Sequence, residues 1–125
     1  MYSVGVHLLF DFPWEWDPLF LPIDPAKNRY YWVWKHPGGT MVGTNERVVP
    51  APLFDPQATE GDIEEILQRV QQHLPHLPFN RSRLYKTFAG VRTLRLRHAK
   101  QGTSSSAVSR RHQFAFTGGV LTLVG

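Results

Sequence analysis

Every residue of Tyr30-Tyr31-Trp32-Val33-Trp34 is aromatic or β-branched. Such side chains fit a pleated, half-buried surface, so this segment is expected to be a strand. His36-Pro37-Gly38-Gly39 then turns the chain, and Thr40-Met41-Val42-Gly43-Thr44 returns it. Other strands flank this pair. Val4 to Phe10 is short, apolar and followed by breakers, which reads as a buried strand. Leu19-Phe20-Leu21-Pro22-Ile23 reads as another, with turn chemistry at Asp24-Pro25-Ala26-Lys27-Asn28. Between them, Pro13 and Pro18 make the aromatic stretch from Phe12 to Pro18 an irregular loop or an edge. These segments predict an antiparallel meander with short connections.

Val48 to Gln57 reads as proline-rich loop. Thr59 and Asp62 then frame a capping box, with Asp in place of the usual Glu. Ile63, Ile66, Leu67, Val70 and Leu74 form one apolar stripe at helical spacing, and Pro75 ends the helix. Leu84 to Leu96 reads as a strand broken by Gly90, and Lys100 to Ser106 as a surface loop. His112 to Thr117 and Val120 to Val124 are two further strands, joined by a tight turn at Gly118-Gly119. The fold class is therefore α+β, a mostly antiparallel sheet with one main amphipathic helix packed on one face. At 125 residues the whole chain is expected to be a single domain.

Composition excludes several classes. Apolar residues make up 42% of the chain and aromatics 13%, too much for a disordered polymer. There is no cysteine, so disulfides and thiolate metal sites are ruled out. No apolar run approaches the roughly 20 residues that span a bilayer, and the N-terminus lacks the features of a signal peptide. A cytoplasmic location is expected. Charge is unevenly spread. Residues 1–80 hold five Lys or Arg and ten Asp or Glu, a net of −5, whereas residues 81–125 hold nine basic residues and no acid. A segment this positive calls for an anion or an acidic surface. Three partners satisfy it: a nucleic acid, an acidic protein, or a small anion gripped by one or two arginines.

No nucleotide-binding glycine motif, G-x-S-x-G, H-E-x-x-H or paired-carboxylate pattern occurs. His73 and His76 lie three apart across a helix end, where surface histidines are common. His7 is different, a lone polar group in an apolar strand, and suits either a satisfied core residue or a catalytic group. Arg92 follows Gly90-Val91, where the backbone can bend and present the guanidinium. Arg110 and Arg111 open the next strand and are placed to converge with it. Arg95 and Arg97 alternate with leucines and read as a solvated face.

Taken in order, these segments form a familiar set. Gly5-Val6-His7-Leu8, the strand pair ending in Gly43-Thr44-Asn45-Glu46, Tyr85-Lys86-Thr87-Phe88-Ala89-Gly90-Val91-Arg92-Thr93-Leu94, Ser109-Arg110-Arg111-His112 and Val120 to Gly125 resemble the substrate-domain portion of flavin-dependent glycerol-3-phosphate dehydrogenases. These enzymes belong to the broader glycine/D-amino-acid oxidase type of flavoprotein. Asn45 replaces a usual Thr, and Thr93 stands where Pro is common. The resemblance implies an oxidoreductase that takes glycerol 3-phosphate to dihydroxyacetone phosphate with FAD, passing electrons to a quinone or oxygen. It implies a catalytic His7 beside the reacting hydroxyl, and substrate-binding Arg92 and Arg110 on the anionic end. Arg111 is the weaker of the adjacent pair.

The glycine fingerprint of the FAD-binding half is missing, as is the Gly-Lys that completes the last motif. The resemblance therefore implies a fragment, inactive alone, whose partners are a small phosphorylated substrate and the FAD-binding half. The complete enzyme would be cytoplasmic or membrane-peripheral, and exposed surface could drive self-association. The alternative reading is a small basic module for nucleic acid or an acidic protein; the resemblance makes nucleic acid the lesser partner.

Overall fold

The computed structural model describes residues 2–51, 53–93 and 112–124. Its strands are β1 (Tyr2–Phe10), β2 (Leu19–Asp24), β3 (Arg29–His36), β4 (Gly39–Val49), β5 (Leu84–Thr93), β6 (Gln113–Thr117) and β7 (Val120–Val124). Among the described residues one α-helix, α1 (Glu60–His73), separates β4 from β5. The architecture is α+β, as expected. Five strands form one antiparallel sheet in the order β2-β3-β4-β1-β5, and β6 and β7 pair as a separate hairpin.

Only β2, β3 and β4 follow the expected meander. β1 lies instead between β4 and β5, hydrogen-bonded on both edges. Its composition explains this: an almost continuously apolar strand suits the sheet interior. Pro22 has no N–H to donate, which suits β2 to the edge. Two boundaries also differ from expectation. β4 continues to Val49, because Arg47, Val48 and Val49 find partners in Val4, Ser3 and Tyr2. β5 is not broken at Gly90, which pairs with Gly5 in a ladder that continues on either side. Leu94 to Leu96 and the Lys100 to Ser106 loop lie outside the described residues. The β6–β7 turn uses Gly118 and Gly119 at φ 59° and 79°, the two left-handed positions of a type I′ turn.

The core lies between α1 and one face of the sheet. Val4, Val6, Leu8 and Phe10 project from β1 with no exposed surface and meet Val33, Val42, Ile63, Ile66, Leu67 and Val70. Phe10 and Phe12 pack edge-on against Phe79 at ring-centre distances of 5.1 and 5.0 Å. The helix stripe predicted from spacing is thus the buried stripe, with Leu74 half-buried at the C-cap.

Asp62 fixes the helix to the sheet. The Thr59 backbone N–H donates to its Oδ2 at 2.9 Å and the Asp62 backbone N–H to Thr59 Oγ1 at 3.2 Å, closing the capping box, and the Thr59 hydroxyl also donates to Oδ2 at 2.8 Å. Asn45 Nδ2 donates to Oδ1 at 2.8 Å, and Arg47 Nη2 to Oδ2 at 3.3 Å. Burial pushes the Asp62 carboxyl up. The bonds from the Thr59 backbone, Asn45, the Thr59 hydroxyl and Arg47 outweigh it and lower the pKa to about 2.

A depressed carboxylate stabilises the fold above its unfolded pKa of 3.8, and that contribution is lost as pH falls through about 2. The shift corresponds to about 2 kcal/mol. Asp62→Ala should lower urea stability near neutral pH by at least about this much and flatten the acid limb of the stability curve. An unchanged acid limb would show that Asp62 does not act as this linkage requires.

Candidate functional site

The face of the sheet turned away from α1 carries the site. Ser3, Gly5 and His7 alternate with the core residues of β1 and so point to that face. β4 reaches it through a bulge. Val6 pairs with Asn45 and His7 with Gly43, leaving Thr44 as an extra residue. The extra residue reverses the alternation beyond it. Asn45, Arg47 and Val49 join Val42 on the helix face, and Glu46 turns to the side of His7.

Two glycines make room for the functional side chains. A Cβ on Gly43 would stand 2.3 Å from His7 Cδ2, and one on Gly5 would stand 3.3 Å from Arg92 Nη2. The imidazole therefore lies over Gly43 and the guanidinium over Gly5. Trp34 meets the His7 ring edge-on with centres 5.6 Å apart. Arg92 Nη1 lies 3.4 Å from Glu46 Oε1, which also accepts from Ser3 Oγ at 2.9 Å. Burial pulls the His7 pKa below its ordinary 6.5, and the positive charge of Arg92 pulls it further. His7 is thus a neutral imidazole near pH 7, able to accept a proton.

His7 and Arg92 share a cavity of about 400 Å³, walled by Pro18, Trp32, Trp34 and Thr44. A second chamber of about 250 Å³ adjoins it through Trp32, Thr44 and Arg92. The arrangement sets a proton acceptor and a fixed cation on one aromatic-walled cavity, suited to orienting a small anionic molecule.

Of the sequence candidates, His7 and Arg92 come together. Arg110, Arg111, Arg95 and Arg97 lie outside the described residues. His73 serves the fold: its Nδ1 is 2.8 Å from the Tyr31 hydroxyl and 3.2 Å from the Arg69 carbonyl oxygen. Among the described residues no group of three or more His, Asp or Glu is placed to hold a metal. Sequence reasoning gave no site role to Thr44, Glu46 or Trp32. Their convergence depends on the bulge and on strand order, which leave no local composition signal.

The basic segment also looks different in the fold. Arg81 pairs with Glu60, Arg83 with Asp11 and Arg92 with Glu46, each carboxylate drawn from the acidic part of the chain. Lys86 lies 4.9 Å from the centre of the Phe88 ring. These contacts supply an acidic surface from within the molecule for much of residues 81–93.

Two curated proteins match almost the entire chain. It is 28% identical over 135 residues to the mitochondrial glycerol-3-phosphate dehydrogenase of Saccharomyces cerevisiae, covering 98% of this chain and 20% of that protein. It is 26% identical over 128 residues to the aerobic glycerol-3-phosphate dehydrogenase of Bacillus subtilis, covering 99% of this chain and 22% of that protein. The chain resembles glycerol-3-phosphate dehydrogenases. The match bears out the resemblance seen in the ordered motifs. The chain spans about a fifth of the length of these relatives. No family model matches it. No helix among the described residues is long and apolar enough to cross a membrane.

An NMR titration should place the His7 pKa below 6.5, and Arg92→Gln should move it upward. Because the folded state holds His7 neutral, its contribution to stability is complete above about pH 6.5 and declines as pH falls toward the lowered folded value. A His7 pKa at or above the ordinary value would contradict the described burial. Gly43→Ala should displace the imidazole and shift its resonances.

Proposed function

We propose that this chain is the substrate-binding part of an FAD-dependent oxidoreductase that converts glycerol 3-phosphate to dihydroxyacetone phosphate. One observation carries the reading: a neutral imidazole and a guanidinium share a cavity on the open face of the sheet. The extent of the match to two glycerol-3-phosphate dehydrogenases supports it.

In this reading Arg92 holds the anionic end of the substrate, joined by Arg110. The guanidinium suits phosphate because its planar fork donates two parallel hydrogen bonds. With that end fixed, the C2 hydroxyl lies against His7, and the imidazole accepts its proton as the C2 hydrogen leaves with its electron pair. A flavin, when bound in the complete enzyme, supplies the hydride acceptor. On this chain, Trp32 and Trp34, which line the cavity, would be the aromatic surface available to a flavin. The chain contains no glycine-rich dinucleotide fingerprint, so the cradle for FAD belongs to another part of the enzyme. Exposed Phe114, Phe116, Leu121 and Leu123 on the β6–β7 hairpin fit coverage by that part or by a second copy.

The purified chain should bind glycerol 3-phosphate more tightly than glycerol, measured by calorimetry. Arg92→Gln should weaken that binding about tenfold or more, the usual order for losing a charge-assisted contact. Equal binding of the two ligands would count against the reading. With added FAD and a redox dye, the chain alone should give no substrate-dependent reduction; clear turnover would overturn its assignment as one part of the machinery.

A further inference from the structure

We propose that Ser3 and Glu46 are positioning residues: the Ser3 hydroxyl fixes the Glu46 carboxylate, and the carboxylate fixes the Arg92 guanidinium beside His7. Their bearing on ligand binding rests on the substrate-binding reading above, whereas the coupling among the four residues is measurable without a ligand.

Ser3 is fully buried in an otherwise apolar strand. A buried hydroxyl costs stability unless it is hydrogen-bonded. Other buried polar side chains serve the fold: Thr40 donates to the Phe12 carbonyl oxygen, and Asn45 donates to Asp62 at the helix start. Ser3 Oγ instead donates at 2.9 Å to Glu46 Oε1, a carboxylate on the cavity side of the sheet. Arg92 Nη1 approaches the same oxygen at 3.4 Å, longer than the roughly 2.8 Å usual for a charge-assisted bond. The serine therefore grips the carboxylate closely, and the carboxylate steers the guanidinium at longer range.

Strand register makes this relay possible. Gly5 of β1 pairs with Glu46 of β4, and Ser3 pairs with Arg92 of β5. Glu46 and Arg92 thus come from opposite sides of β1 and meet above it. Gly5 keeps that path open: a Cβ there would stand 3.0 Å from Thr44 Oγ1 and 3.3 Å from Arg92 Nη2. Ser3 lies four residues before His7 on the same strand, about 13 Å away at the usual rise, too far for contact with the imidazole. Arg92 is the charge that acts on His7. Lys86 and His36 lie against Phe88, the strand partner of His7, and both are retained in every variant below.

The test follows the His7 titration and the Arg92 Nε–H signal by NMR in wild type, Ser3→Ala, Glu46→Asp, Arg92→Gln, and Ser3→Ala combined with Arg92→Gln. Ser3→Ala and Glu46→Asp change no charge, so a moved titration reports position. Both should loosen the guanidinium, broaden its signal and move the His7 pKa upward, toward that of Arg92→Gln. With Arg92 already replaced, Ser3→Ala should add no shift. In calorimetry both variants should bind glycerol 3-phosphate about threefold to tenfold more weakly, the scale of ordering one freed side chain, and leave glycerol binding unchanged. An unmoved His7 titration in both variants overturns the positioning role even where wild type prefers glycerol 3-phosphate, and so does a shift from Ser3→Ala that persists in full without Arg92. A moved titration in a wild type that shows no preference for glycerol 3-phosphate over glycerol upholds the relay and removes the substrate reading.

Discussion

Thr44, the extra residue in β4, is the point on which fold and site both depend. Strand alternation has a period of two, so one unpaired residue exchanges the faces of everything after it. Before the bulge, Val42 packs into the core. After it, Asn45 and Arg47 meet Asp62 at the start of the helix, and Glu46 meets Arg92 on the other side. If Thr44 instead paired regularly with Val6, Glu46 would be carried into the helix interface and Asn45 out to the cavity. The polar clamp on α1 and the electrostatics of the cavity therefore share one backbone irregularity. Bulges concentrate beside functional sites for this reason: they re-aim side chains that regular pleating would send elsewhere.

The charge distribution has a similar double character. Taken alone, residues 81–125 look like a polyanion-binding segment. In the fold, Arg81, Arg83 and Arg92 reach back across the chain to Glu60, Asp11 and Glu46. Exposed pairs such as Arg83–Asp11 add little stability individually. Their collective effect is on partner choice, because they leave fewer free cations along this stretch to track a phosphate backbone. Arg92 differs from the exposed pairs. Its partner Glu46 is largely buried, with 11% of its side chain exposed, so the guanidinium is held in one place at the cavity wall.

The readily legible parts of the sequence were those encoded locally. The aromatic run of β3, the Gly-Gly turn of the last hairpin, and the Thr59–Asp62 cap with its apolar stripe each carry their signal within a few residues. The position of β1 does not, since its partners lie in Gly39–Val49 and Leu84–Thr93, and nothing beside Val4 announces either pairing. The proline-rich context hid the end of β4, because Val48 and Val49 acquire strand character only when β1 is alongside. His7 stood out as a polar residue in an apolar strand, and Arg92 through its flanking Gly-Val. The wider lining of the cavity was not legible, because Trp32, Thr44 and Glu46 converge through register and a bulge rather than through spacing.

The strict division of labour along β1 has a bearing on how such a protein can change. Core and cavity are assigned to alternate positions of the same strand: Val4, Val6 and Leu8 to one, Gly5 and His7 to the other. Point substitutions on the cavity side can remodel ligand preference with little penalty to packing, so chemistry can drift while architecture stays fixed. A gain or loss of one residue would instead scramble both at once. Relatives of this chain are therefore expected to diverge here by replacement and to keep the length of the β1 segment constant.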